Sequence, residues 1–417
     1  MTWTKRILSF SGIVLFAASS LLSQNVGSDF KGMRFSPKEM KDHIAHFNAL
    51  PRTSFNKIQT QNITTPSYLN LLSYFPHDAT LWNQGSNCGN CWVWGSTAVV
   101  SIMNGIRGFP GPLSVQYFDS AYNSGSGSGF ACCGGFPEFF VDYYNNHVGF
   151  FVPWSNGNAS YADAPAACGG STYQPVSGIA TNPNYPFVSI SLNAVDTHTW
   201  FETRQQAISA IKSTLNMNIP IAFTFFVSNS EYTALKSWWW SADENSVFSS
   251  FDLMPGGSDV GHTVALVGYD DSDSSWILLN SWGTTNGRPN GTFKIPQNIG
   301  YAPPDNHLRL EFNFFNIAWY NTNVTIPIPS SDQTISSGTN ISFTGNCSNG
   351  AGQPLRYSWD FGDGSSTSGS SASVAHTFTT SNGSVQTRTV VLTVFSMSNP
   401  MSPTVMGKGS RIITVCP

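Results

Sequence analysis

The chain has 417 residues, of which 40% are hydrophobic, 14% aromatic and only 10% charged, with a net charge of -4. That length exceeds one ordinary domain and suits two or three. No basic excess is available for a phosphate backbone, so nucleic acid is not an expected partner, while 13 Trp and 30 Phe supply ample material for packed cores.

At the start, Lys5 and Arg6 precede an apolar run from Ile7 to Leu22 that ends in Ser23 and Gln24. A charged head, a short apolar stretch and small residues read as a secretory leader over 1–23. A membrane anchor fits less well: Ser9, Ser11, Gly12, Ser19 and Ser20 interrupt a run already short of the ~20 apolar residues a span needs. The expectation is a secreted, extracellular product. Seven cysteines are an odd number for such a protein: Cys88, Cys91, Cys132, Cys133, Cys168, Cys347 and Cys416. One reactive thiol set aside leaves six, enough for three bridges in an oxidising compartment.

Residues 24–65 form a short N-terminal extension or propeptide, polar and moderately helical between Lys31 and Phe47. From 66 to 322 the chain is rich in aromatics. Apolar spacing predicts helices over Cys91 to Ile106, 136–147 and Arg204 to Met217, and strands over Ile219 to Val227, Thr263 to Tyr269 and Trp276 to Asn280. Helices first and strands later make this an α+β domain. Composition shifts near Val324, and 323–417 reads as short alternating strands between Ser- and Gly-rich turns, an all-β, Ig-like sandwich.

The chemistry gathers in two blocks. In Gln84 to Gly95, Cys91 opens the predicted helix, where unpaired backbone N–H groups and a nearby imidazolium lower a thiol's pKa. Gln84, just upstream, offers a side-chain amide to a developing oxyanion. Cys88-x-x-Cys91 also admits a zinc half-site or a redox dithiol. The adjacent pair Cys132-Cys133 is poorly spaced to complete a zinc site, and no βαβ unit surrounds the motif as a redox dithiol would require. In the second block, Gly261-His262-Thr263 begins an apolar run and Trp276 to Gly283 carries another. A hairpin turning near Asp271 sets His262 opposite Asn280, with Trp282 placed to keep water from their hydrogen bond. A lone His at a strand start is more often structural; its pairing with Asn280 and with an odd cysteine argues for catalysis. Nothing in the sequence calls for a cofactor or a metal.

These blocks, with Leu113-Ser114-Val115-Gln116 and Cys132-Cys133-Gly134-Gly135, resemble the papain family in the family's order across roughly residues 66–322. The resemblance implies a helical lobe and a β-barrel-like lobe with a cleft between them. It makes Cys91 the nucleophile, His262 the base, Asn280 its orienting partner and Gln84 the oxyanion donor. It puts Gly134 and Gly135 along the non-primed side of the cleft, and Val260 and Thr224 at the pocket for the residue two before the cleaved bond. It pairs Cys88 with Cys132 or Cys133, and the other of these with Cys168. Asn90 departs from the Ser or Ala usual before the nucleophile, Asn87 lengthens the Gln84–Cys91 stretch by one residue, and insertions are expected near 171–200 and 228–258.

Tyr357-Ser358-Trp359-Asp360-Phe361-Gly362-Asp363-Gly364 resembles a PKD module. Trp359 should fill its core, Asp360 and Asp363 should cap turns rather than bind calcium, and Cys347 and Cys416, which flank it, are expected to bridge. The function implied is secreted cysteine endopeptidase action on protein or peptide substrates by a monomer, with the module attaching to a cell surface or insoluble polymer. An inactive adhesive paralogue and an acyl-transfer enzyme using the same site are the alternatives.

Overall fold

The computed structural model describes residues 30–53, 66–197, 203–252, 259–301, 308–318, 324–347, 355–380, 383–396 and 404–417. The leader expected at 1–23 lies outside the described residues.

Among the described residues, six α-helices precede or flank the first sheet: α1 (Pro37–Ala49), α2 (Cys91–Ile106), α3 (Val115–Ala121), α4 (Pro137–Tyr143), α5 (Arg204–Asn216) and α6 (Asn229–Ser241). Their starts are written in the sequence. Ser36 and Glu39 close a reciprocal capping box at α1, with Pro37 in the first turn; Thr203 with Gln206 and Ser228 with Glu231 do the same for α5 and α6. Such a cap stabilises a helix by about 1 kcal/mol. The predicted bounds of α2 hold. The helix expected over 136–147 is α4 followed by a π-turn over Tyr144–Val148.

The strands of this part are β1 (Arg52–Thr53), β2 (Tyr68–Asn70), β3 (Phe150–Phe151), β4 (Tyr185–Pro186), β5 (Ser189–Val195), β6 (Ile221–Ser228), β7 (Asp259–Asp270), β8 (Ser275–Leu279), β9 (Thr292–Pro296) and β10 (Leu310–Ala318). Among the described residues, β1-β5-β10-β6-β7-β8-β9 form one sheet, with β2 added beside β7, and β3 pairs with β4 apart from it. Helix α2 packs against β7: a Cβ on Gly95 would lie 2.9 Å from Thr263 Cγ2, so glycine is what permits the close approach. Trp92, Trp94, Trp276 and Trp282 are all fully buried in one continuous core, each contributing roughly 2–3 kcal/mol by area. Two disulfides fasten the helical side, Cys88–Cys132 and Cys133–Cys168, which decides the alternative left open above. Asp119 lies close to the sulfurs of Cys88 and Cys132, but their mutual bond removes those sulfurs as thiolate ligands for a metal.

The second part has its own core around Trp359, Phe343, Phe361 and Leu392. Strands β11 (Val324–Ile328), β13 (Thr339–Cys347) and β16 (Ser373–Phe378) form one sheet. The other runs β12 (Gln333–Ser336), β18 (Thr404–Cys416), β17 (Gln386–Ser396), β14 (Leu355–Asp360), β15 (Ser366–Gly369). Asp360 accepts from the Gly362 amide and Asp363 from the Ser365 amide, as turn caps do. The expected Cys347–Cys416 bridge is absent. Cys416 sits beside Ser337, whose amide donates to its carbonyl at 2.7 Å. Strand β13 then runs away from that point to reach Cys347 at its far end, roughly 26 Å of strand at about 3.3 Å per residue. A disulfide needs Cα atoms within about 7 Å, so strand direction forbids it.

Candidate active site

Cys91 is the first residue of α2. The backbone around Thr263, Trp92, Cys91 itself and Met33 lies close enough to its sulfur to favour the thiolate. The contact with Thr263 places the sulfur beside the residue that follows His262. On the other lobe, His262 Nε2 lies 2.9 Å from Asn280 Oδ1, both residues buried, while Nδ1 makes no hydrogen bond among the described residues. Trp282 covers the pair, its ring centroid 4.9 Å from the imidazole. The Asn280 oxygen also accepts from the Ser281 amide at 2.9 Å, which fixes the amide's orientation.

The hairpin register differs from the expected one. The ladder pairs Tyr269 with Trp276 and, beyond a bulge between Leu266 and Gly268, Ala265 with Leu279. The turn is centred later than Asp271, so His262 is not the ladder partner of Asn280. Asn280 lies one residue past the end of β8, its amide bonded to Gly291 on the β9 side, and its side chain still meets His262. Contact survives where the register argument does not.

Gln84 is held at both ends. Its backbone N–H donates to Ser281 O at 2.8 Å, and Ser281 Oγ donates to its side-chain oxygen at 2.7 Å. That leaves Nε2 to donate to Cys88 O at 3.0 Å and to Lys31 O at 3.3 Å. Gly134 has φ +103°, and a Cβ on Gly135 would lie 2.6 Å from the Trp92 ring, so both positions demand glycine. Asn90, the departure before Cys91, donates to buried Asp119 at 2.5 Å and to Tyr161 at 3.1 Å, tying the start of α2 to α3.

The cleft is not open. Phe30 stacks on Trp282 with centroids 4.7 Å apart, and Met33 exchanges backbone hydrogen bonds with Gly261. Gly32 lies so close to the wall that a Cβ would come within 2.2 Å of Val260 Cγ1. Phe35 stacks on Phe136 at 4.1 Å. The chain then turns into α1, which buries Phe47 in a cluster with Phe136, Phe226 and Leu308. Sequence reasoning read helical character here but not the extended crossing of the cleft, where Met33 makes an isolated bridge to Gly261. Covering has an electrostatic price: burial pushes the Cys91 thiol up to about 12, outweighing the four backbone contacts, and burial lowers His262 to about 4 although Asn280 opposes it. The thiolate–imidazolium pair expected at a helix start is therefore suppressed in this state.

Helix α6, inside the insertion expected at 228–258, also escaped the sequence reading. It brings Tyr232 within 6.0 Å of the His262 ring and Trp239 within 5.5 Å of Trp282, measured between centroids. The Ser228-x-x-Glu231 capping box was the available signal.

Fold and cleft together define a two-lobed protein with cysteine and histidine on facing lobes. A profile of the papain family of cysteine proteases matches residues 78–307, and the chain belongs to that family. A PKD domain profile matches 325–398. Cysteine endopeptidase Rep1 of Oryza sativa subsp. japonica is 28% identical over 225 residues, 51% of this chain and 49% of the rice protein. The chain thus matches about half the length of that curated relative. Among solved structures, the N-terminal four Ig domains of Dscam1 isoform 4.44 align over 48% of this chain and 38% of theirs, at 12% identity and a TM-score of 0.16, too low to carry an argument.

Proposed function

We propose that the protein is a secreted cysteine endopeptidase made as a latent precursor. Cys91, His262 and Asn280 are its catalytic triad, Gln84 is its oxyanion donor, and the segment before Pro66 is its inhibitor. The observation that carries the reading is the 2.9 Å His262–Asn280 contact facing a cysteine at a helix N-terminus. With Nε2–H donated to Asn280, Nδ1 keeps its lone pair and takes the Cys91 proton. The sulfur then attacks the substrate carbonyl. Gln84 Nε2 and the Cys91 amide receive the oxyanion, as Gln84 already receives the Lys31 carbonyl. His262 returns the proton to the departing amine, and water cleaves the thioester by the same route. Trp282, Val260, Gly134 and Gly135 form the walls that substrate would share with residues 30–35. Substrates are proteins or peptides, and the PKD module is a binding arm.

The test is to remove the segment by limited proteolysis, label with an epoxysuccinyl thiol-protease inhibitor and map the peptide. Labelling at Cys91 with loss of peptidase activity is expected, and Cys91→Ala should abolish both. A processed protein that neither labels nor cleaves would fit the adhesive reading; products joined to added amines would fit acyl transfer.

A further inference from the structure

Two carboxylates from opposite lobes converge on one buried point beside the cleft. Glu138 comes from the first turn of α4, and Glu311, which is fully buried, from β10. Between them lies the ring of His43 from α1. Its Nδ1 is 2.5 Å from Glu138 Oε1 and its Nε2 bonds Glu311 Oε1. The second Glu311 oxygen accepts from Asn313 at 3.1 Å. The imidazole stacks flat on Phe136, with centroids 3.5 Å apart, and Phe226 closes the other side at 6.1 Å.

The walls belong to the catalytic domain. Phe136 follows Gly134 and Gly135, Phe226 is the ladder partner of Gly261, and Glu311 is the partner of Thr224. Thr224 was expected at the pocket for the residue two before the cleaved bond. The plug, by contrast, belongs to the segment that crosses the cleft. Two buried carboxylates with no cation between them would each carry a desolvation cost of several kcal/mol, so a pocket built for an aliphatic side chain has no use for them. Burial works against a charge on His43, yet attraction to Glu311 and hydrogen bonds accepted by Glu138 and Glu311 hold its pKa up to about 10. The occupant is an imidazolium.

Resting on the peptidase reading above, we propose that this is a specificity pocket for a cationic side chain two residues before the cleaved bond, and that His43 fills it in the latent form as a built-in substitute. Arginine fits best. Its planar guanidinium stacks on Phe136 as the imidazole does and can donate to both carboxylates at once. Lysine supplies the charge without the plane and ranks second.

The experiment has two arms. In the first, the processed enzyme is titrated with the epoxysuccinyl inhibitor and given peptides that differ only at that position. Arg should exceed Leu in kcat/KM by at least tenfold, and Glu311→Gln or Glu138→Gln should lower that ratio by tenfold or more. A wild-type enzyme that prefers Leu, or variants that keep the Arg preference, would overturn the proposal. The second arm needs no catalysis and so separates a failed pocket from a failed peptidase. In the full chain carrying Cys91→Ala, amide exchange across α1 is compared for His43→Arg and His43→Leu. Arg should protect α1 at least tenfold better. Equal protection means the pocket does not select a cation, and the proposal falls.

Discussion

Met33 and Gly261 exchange a reciprocal pair of backbone hydrogen bonds, 2.8 and 2.9 Å long, one residue before His262. That bridge seats the N-terminal segment on β7 and brings the Met33 backbone close to the Cys91 sulfur. One residue of the N-terminal segment thus lies against both Cys91 and the residue before His262.

The bridge depends on Gly32. A Cβ there would meet Val260 Cγ1 at 2.2 Å and Gly261 O at 3.0 Å, and neither the backbone nor a buried valine can yield that much. Gly32→Val in the uncleaved chain should lift the segment and speed labelling of Cys91 by an epoxysuccinyl inhibitor at least tenfold. Labelling as slow as in the parent chain would show that the segment tolerates the side chain and that closure rests on α1 alone.

Latency should also appear in the thiol itself. With Cys91 raised to about 12 by burial, its thiolate fraction in the closed chain stays very small at neutral pH, and alkylation needs the thiolate. Iodoacetamide should modify Cys91 of the uncleaved chain slowly at pH 7, faster with each rise in pH. Once the segment is removed, the helix N-terminus and His262 act unopposed and the rate at pH 7 should rise by two orders of magnitude or more. Equal rates before and after removal would contradict the burial argument.

The hold of α1 should weaken toward alkaline pH, not toward acid. His43 has a folded pKa of about 10 against about 6.5 for a free imidazole. A raised pKa stabilises the closed form fully below the free value and loses that contribution as pH rises through the folded one. Glu311, raised chiefly by burial, has the same sign. Arg34, Glu39, Asp42, His46 and Asp142 line the adjoining cavity of about 570 Å³ and complete the charges near the ring. In the Cys91→Ala chain, exchange protection across Pro37–Ala49, corrected for intrinsic rates, should be retained at pH 5 and decline between about 6.5 and 10. Release at pH 5 with retention at pH 10 would reverse the expected sign and show that the His43 charge does not hold α1.

Much of the site was legible because its signals are local. Cys91 at a helix start, the Gly134-Gly135 pair and the His262–Asn280 blocks depend on residues close in sequence, and α2 begins where apolar spacing placed it. Two things were not local. The stretch over residues 30–35 has no internal pattern of its own; it is held by Gly261, Trp282 and Phe136, all more than 95 positions away. The Glu138–His43–Glu311 cluster joins three elements whose sequences never meet, and each residue alone reads as a surface charge. Cys347 and Cys416 failed for the opposite reason: proximity was inferred from their flanking a module, while strand direction separates them.

The C-terminal module should be dispensable for chemistry and needed for attachment. Every residue given a catalytic role lies before β11, and the core around Trp359 is distinct from the one that holds α2 and β7. Contact between the two parts includes Lys408 over the Phe109 ring at 5.2 Å, just past the C-terminal end of α2 and away from Cys91 at its start. No Cys347–Cys416 bridge is needed for the fold, so peptide mapping without reductant should recover no fragment joining them. The decisive comparison expresses the chain with and without residues from 324 onward, processes both identically and normalises by Cys91 titration. Turnover of a small soluble peptide should agree within about twofold, because removing Lys408 leaves α2 anchored by Thr263 and the Cys88–Cys132 bond. Retention on insoluble polymers or cell walls should drop only in the shortened form. If the shortened enzyme titrates fully yet turns over the soluble peptide tenfold more slowly, the module shapes the cleft, and its description as a separate binding arm is wrong.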